Sequence, residues 1–160
     1  MSGVSSTLFD LLTYEIVNKI VNEKWDQKSY KEYNELCAKL DAIGVKTGSS
    51  WAELKTLSNP NWDTPKNTIE YIAKYFWLEI FGKNADEIII DNQGSTTIVD
   101  KDFRPTKPIS SPNSNDKILT VYTIFYNGII KGILNCAGYN ASVTNTIDDK
   151  NECSFTITIY

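Results

Sequence analysis

Histidine is missing from this 160-residue chain. With it go the commonest general base, proton shuttle and metal ligand, so no Ser-His or Cys-His nucleophile can be assembled. Cysteine is sparse. Cys37, Cys136 and Cys153 are an odd number without the close spacing of a zinc site or a disulfide framework, which predicts a reducing compartment. No glycine-rich phosphate loop occurs, neither the dinucleotide fingerprint nor the Walker pattern, so nucleotide binding is not indicated. Positive charge is also short: 16 Lys and Arg stand against 20 Asp and Glu, a net charge of −4. A nucleic-acid binder neutralises phosphates with Lys and Arg, and that class is excluded. The first residues carry neither a charged leader nor a long apolar run and do not read as a signal peptide. Asp148, Asp149 and Glu152 lack the spacing of a calcium loop and read as a solvated turn, and Asp100 and Asp102 are read the same way. Glu15 and Glu79 lie in apolar helical patterns with no partner catalyst near them in sequence. No cofactor, metal or enzymatic activity is expected.

What the chain does contain is ordinary globular material. Hydrophobic residues make up 41%, and aromatics reach 12% with four Trp and nine Tyr. One domain of this length buries roughly 70% of the surface its unfolded chain exposes. A first helix is predicted over about 6–25, opened by a Thr7-x-x-Asp10 capping box. Its apolar residues Leu8, Phe9, Leu11, Leu12, Ile16, Val17, Ile20 and Val21 cover more than one stripe, enough for the chain's own core and for a partner. A second helix starts near Tyr33 and carries Leu36, Leu40, Ile43, Thr47, Trp51, Leu54 and Leu57 at helical steps. Gly44 and Gly48 share one face of it, each costing about 1 kcal/mol of helix propensity. A close helix crossing within the chain, or a subunit contact, would compensate.

Turn residues at 58–65 lead into a third helix over 67–82, whose inner face is Ile69, Ile72, Ala73, Phe76, Trp77, Ile80 and Phe81. The runs 87–91 and 95–100 form a hairpin around Asn92-Gln93-Gly94. A mobile loop is expected over 104–117, where three prolines gather. The most apolar segment, 118–139, carries Thr120, Thr123, Asn127, Lys131 and Asn135. A lysine at mid-depth is costly in a bilayer, so the segment reads as a central buried helix and not a membrane span. Two strands, 141–147 and 153–160, close the chain around a turn at 148–151. The fold class is α+β in a single domain over 1–160, four main helices packed on a small antiparallel sheet built from two hairpins.

The hairpin turn Asn92-Gln93-Gly94 with Asp102-Phe103 and a proline, the helix end Phe76-Trp77-Leu78-Glu79-Ile80-Phe81, the Gly44-x-x-x-Gly48 helix and Gly128-Ile-Ile-Lys-Gly132 together resemble a small subunit of the transport protein particle, TRAPP, a vesicle-tethering complex. Order and spacing carry the resemblance over nearly the whole chain. Within this Bet-three-like family the chain looks most like the branch called subunit six. The resemblance implies a TRAPP small-subunit α/β plait and a heterodimer with the acyl-carrying small subunit through the first two helices. A partner face of Leu8, Phe9, Leu12, Ile16, Leu36, Leu40, Ile43, Gly44, Thr47 and Gly48 follows, with Asn92, Gln93 and Gly94 as a secondary contact. A homodimer is possible in isolation.

The same resemblance implies a scaffold role, in a complex that promotes nucleotide exchange on a Rab GTPase in transport between endoplasmic reticulum and Golgi. That places the chain in the cytoplasm, peripheral to cis-Golgi and endoplasmic reticulum membranes. Trp62 stands where the acyl-carrying relative has its cysteine, so acylation there is not expected, and Lys131 stands where relatives often carry arginine. The alternative from another class is a binding domain for a small apolar ligand, with the helix at 118–139 lining its pocket.

Overall fold

The computed structural model describes residues 11, 14, 15, 30–56, 61–107 and 116–160. Helix α1 is Tyr30–Thr56. Helix α2 is a continuous run of Pro65–Tyr71, a π-helical turn at Ile72–Phe76 and Trp77–Phe81. Strands β1 (Glu87–Ile90) and β2 (Thr96–Asp100) follow, then helix α3 (Asp116–Cys136) and strands β3 (Ala141–Ile147) and β4 (Cys153–Ile159). One sheet runs β1-β2-β4-β3, antiparallel throughout. This is the expected α+β class. Three helices, not four, are bounded among the described residues. Of the expected first helix, Leu11, Tyr14 and Glu15 are described and helical, whereas Leu8, Phe9, Leu12 and Ile16 lie outside the described residues.

Local chemistry sets the element ends. Thr64 caps α2 by accepting a 3.2 Å hydrogen bond from the Asn67 amide, and Pro65 occupies the first turn, where its missing N–H has no partner to lose. Gly82 ends α2 at φ 76°, a left-handed cap that glycine takes without a Cβ penalty. The π turn was not legible in the apolar spacing. Its wider turn lets the consecutive Phe76 and Trp77 both face inward, at 2% and 1% exposure. Helix α3 stops at Cys136, short of the expected 139, because the chain turns at Gly138 and the Tyr139 amide bonds back to the Leu134 carbonyl.

The expected loop over 104–117 opens with a 3₁₀ turn, Arg104–Thr106. Asn151, at φ 67° in the β3–β4 turn, donates from Nδ2 to the Phe103 carbonyl at 2.7 Å and fixes that turn against the sheet. Residues 108–115 lie outside the described residues.

Helix α3 lies between α1 and the sheet, with Ile129, Ile130, Ile133 and Leu134 fully buried. Asn127 donates to Asn145 at 2.6 Å, and Asn145 donates to Thr123 at 2.7 Å, which ties α3 to β3. Trp77, Phe81, Phe103, Tyr126 and Phe155 meet at ring separations of 5.2–5.6 Å, most of them edge to face, at the centre of the core. The opposite face of the sheet is hydroxylated: Thr97 meets Thr156 at 3.1 Å and Ser95 meets Thr158 at 2.9 Å. No helix among the described residues is long and apolar enough to cross a membrane.

Candidate interaction surfaces

The paired glycines are engaged from within the chain. A β-carbon on Gly44 would overlap the Phe125 carbonyl oxygen and lie 2.9 Å from the Cα of Gly128; one on Gly48 would overlap the Ile129 carbonyl oxygen. The fit is reciprocal. A β-carbon on Gly128 would overlap the Asp41 carbonyl oxygen and one on Gly132 that of Val45. Two four-residue glycine spacings thus seat α1 and α3 backbone to backbone, and Lys131 crosses the joint to Asp41 at 2.5 Å. Of the positions expected at a partner face, Leu36, Leu40, Gly44 and Gly48 are buried in this crossing. The glycine pair therefore serves packing, the first of the two compensations considered from sequence. Ile43 is 38% exposed, and Thr47 turns its hydroxyl back onto the Ile43 carbonyl at 2.9 Å. These two remain on the outer side of α1.

The β1–β2 turn is local chemistry. Asp91 Oδ1 accepts the amides of Gln93 and Ser95, both at 2.8 Å, and Gly94 takes φ 87°. Asn92, Gln93 and Gly94 are exposed. Beside them lies a surface missed from sequence: Ile88, Ile89 and Ile90 are 37%, 50% and 57% exposed. They lie on β1, an edge strand of the sheet. The available signal was the failure of the run to alternate.

The titratable groups are built into structure. Asp100 is fully buried, contrary to the solvated turn expected of it. Its Oδ2 accepts from Trp77 Nε1 at 2.9 Å, and its Oδ1 accepts from the Asp102 amide at 3.0 Å and lies 2.5 Å from Lys83 Nζ. No sequence pattern links a carboxylate to an indole 23 residues away. Burial alone would lower the Lys83 pKa, but hydrogen bonds to Asp100 and Asp86 carry it above the usual lysine value. The bond from Lys83, with the Lys101 amide, holds Asp86 below the ordinary carboxylate range. Trp62 packs at right angles on Tyr71, centroids 5.7 Å apart, and its carbonyl accepts from the Tyr139 hydroxyl. No group of three or more metal-ligating side chains gathers among the described residues. Among the described residues the arrangement offers surfaces for contact.

A family model described as transport protein particle (TRAPP) component matches residues 9–160. Trafficking protein particle complex subunit 6B of Homo sapiens is 26% identical over 95% of this chain and 95% of its own length. Subunit 6b of Danio rerio is 24% identical over the same shares. Among solved structures, trafficking protein particle complex subunit 3 from Naegleria fowleri, covalently bound to palmitic acid, has a TM-score of 0.79 at 16% identity, covering 98% of this chain and 96% of that one. That likeness concerns the fold, and the family follows from the model that runs almost from end to end: this chain belongs to the transport protein particle (TRAPP) component family.

Proposed function

We propose that the chain is a non-catalytic structural subunit of the TRAPP vesicle-tethering complex, acting in endoplasmic reticulum to Golgi transport at the cytoplasmic face of those membranes. In this reading it pairs with the acyl-carrying small subunit and supports nucleotide exchange on a Rab GTPase by the assembled complex. The family match over residues 9–160 carries the proposal. The relative with palmitic acid attached is a fitting type of partner. The chain itself presents a packed Trp62 at the position assigned to the acyl-bearing cysteine.

The glycine crossing narrows where such a partner would sit. With Leu36, Leu40, Gly44 and Gly48 covered by α3, the outer side of α1 at Ile43 and Thr47 is the part of the described helix left for a partner, and Leu8, Phe9, Leu12 and Ile16, outside the described residues, are proposed to complete that face. The exposed turn at Asn92, Gln93 and Gly94 is the proposed secondary contact. An apolar-ligand pocket along α3 is less favoured, because Ile129, Ile130, Ile133 and Leu134 are covered by the chain's own packing.

The test is co-expression with the acyl-carrying small subunit, followed by light scattering. A one-to-one complex is expected, and Ile43→Asp should weaken it about tenfold or more while the melting curve of the isolated chain stays near wild type. A stable monomer at micromolar concentration that recovers no TRAPP subunit would overturn the reading.

A further inference from the structure

We propose that β1 is a docking edge for an extended apolar strand of a different chain, flanked at both ends by lysine or arginine. Three observations carry this. The first is a backbone edge left open among the described residues. In the β1–β2 register Glu87 faces Val99 and Ile89 faces Thr97, and the Asp91 amide bonds to the Ser95 carbonyl. Alternation along an antiparallel ladder then turns the N–H and C=O groups of Ile89 toward β2 and those of Ile88 and Ile90 outward, at the end of the sheet order.

The second observation is apolar exposure on both faces. Ile88 and Ile90 lie on the side of Ile98, facing the helix layer, yet remain 37% and 57% exposed. Ile89 lies on the other side beside Thr97, where β2 and β4 carry hydroxyls, and it breaks that pattern. A helix could cover one face only. A strand continuing the sheet sends alternate side chains to both faces and satisfies the open backbone as well. Natural edges are commonly blunted by proline, an inward charge or a bulge, and the run Ile88-Ile89-Ile90 has none of these.

Charge is the third observation, and it selects the occupant. If two copies paired through β1 with their outward groups matched, Ile89 would face Ile89, Ile88 would face Ile90, and Glu87 would face Asp91 at both ends. Like charges directly opposite one another destabilise a pair of strands, so the edge disfavours its own copy. The same carboxylates favour a strand with basic residues four apart around three apolar ones. Lys101 already pairs with Glu87 and shows the kind of contact an incoming cation would extend.

The surface is separate from the α1 face, and its test does not depend on the proposed dimer. The full chain, ¹⁵N-labelled, is titrated with capped Lys-Val-Ile-Val-Lys, with the same peptide flanked by Glu, and with a version N-methylated at alternate residues. Binding of the Lys-flanked peptide is expected to slow exchange of the Ile88 and Ile90 amides. The Glu-flanked peptide should bind about five- to tenfold more weakly, and the N-methylated one should give no protection. Ile89→Thr matches the hydroxylated face and keeps a β-branched residue, so it should fold normally and lose most of the binding. Equal binding of the Lys and Glu peptides would overturn the proposal. So would absence of amide protection at roughly millimolar peptide, or protection that rises with protein concentration alone, which would make a second copy the occupant.

Discussion

At the scale of single residues, Asp100 shows how a chain without histidine uses a carboxylate as a fastener. Both oxygens are taken by donors: Trp77 Nε1 on one side, the Asp102 amide and Lys83 Nζ on the other. An amide in its place must turn its NH₂ toward a donor whichever way it sits. Asp100→Asn is therefore expected to cost about 2–4 kcal/mol, read as a lower urea midpoint with an unchanged slope. A shift near zero would mean that the buried charge contributes nothing beyond its shape. Lys83→Met should cost less, because Lys83 is 36% exposed and its pairing is screened by solvent. Little of this was legible in sequence: the Asp102 amide is a local contact two residues on, but Trp77 near the end of α2 and Lys83 just beyond it reach Asp100 only through folding.

At the scale of elements, the four-residue glycine spacing in α1 was legible as a demand for close approach, and the structure meets it with the same spacing in α3. Spacing alone could not say whether the other backbone belonged to this chain or to a neighbour. That is why four of the six positions expected at a partner face on α1, Leu36, Leu40, Gly44 and Gly48, are interior. The alternation of β4 and the turn at Gly94 were legible because strand period and left-handed φ are local properties. The π turn was not, because it depends on the Ala85 amide reaching the Ala73 carbonyl across the end of the helix. The two uses of glycine separate in one comparison. Gly48→Ala forces a methyl into the α3 backbone and should cost about 3 kcal/mol or more, whereas Gly82→Ala meets open space and pays only the left-handed φ, about 1 kcal/mol. Similar melting temperatures for the two variants would refute the backbone-to-backbone crossing.

At the scale of the whole molecule, buried weak acids set the alkaline limit of stability. Burial, then the Asp100 carboxylate, push the Cys153 thiol far above its ordinary 9.0. Burial carries the Tyr122 hydroxyl from 10.0 to about 12, with Tyr14 and Glu15 adding to it. In the unfolded chain these groups ionise near their ordinary values while the folded protein keeps them neutral. Their contribution is therefore complete below pH 9.0 and falls as pH rises toward the folded values. Lys83, also raised above its ordinary 10.5, adds to the loss once pH passes that value. Asp86 has the opposite sign: its pKa is lowered from 3.8, so its contribution holds above that pH and is lost as pH falls through the depressed value. Melting temperature should consequently run flat between these limits and decline from pH 9.0 upward. Cys153→Ala should lower the plateau by leaving a small void but remove the first part of the decline. Tyr122→Phe should leave the plateau unchanged or raise it, because that hydroxyl is buried without a hydrogen-bond partner, and should soften the decline above pH 10.0. If both variants lose stability along the wild-type alkaline curve, the limit lies in other groups, and the buried thiol and phenol are not what the folded state protects from ionisation.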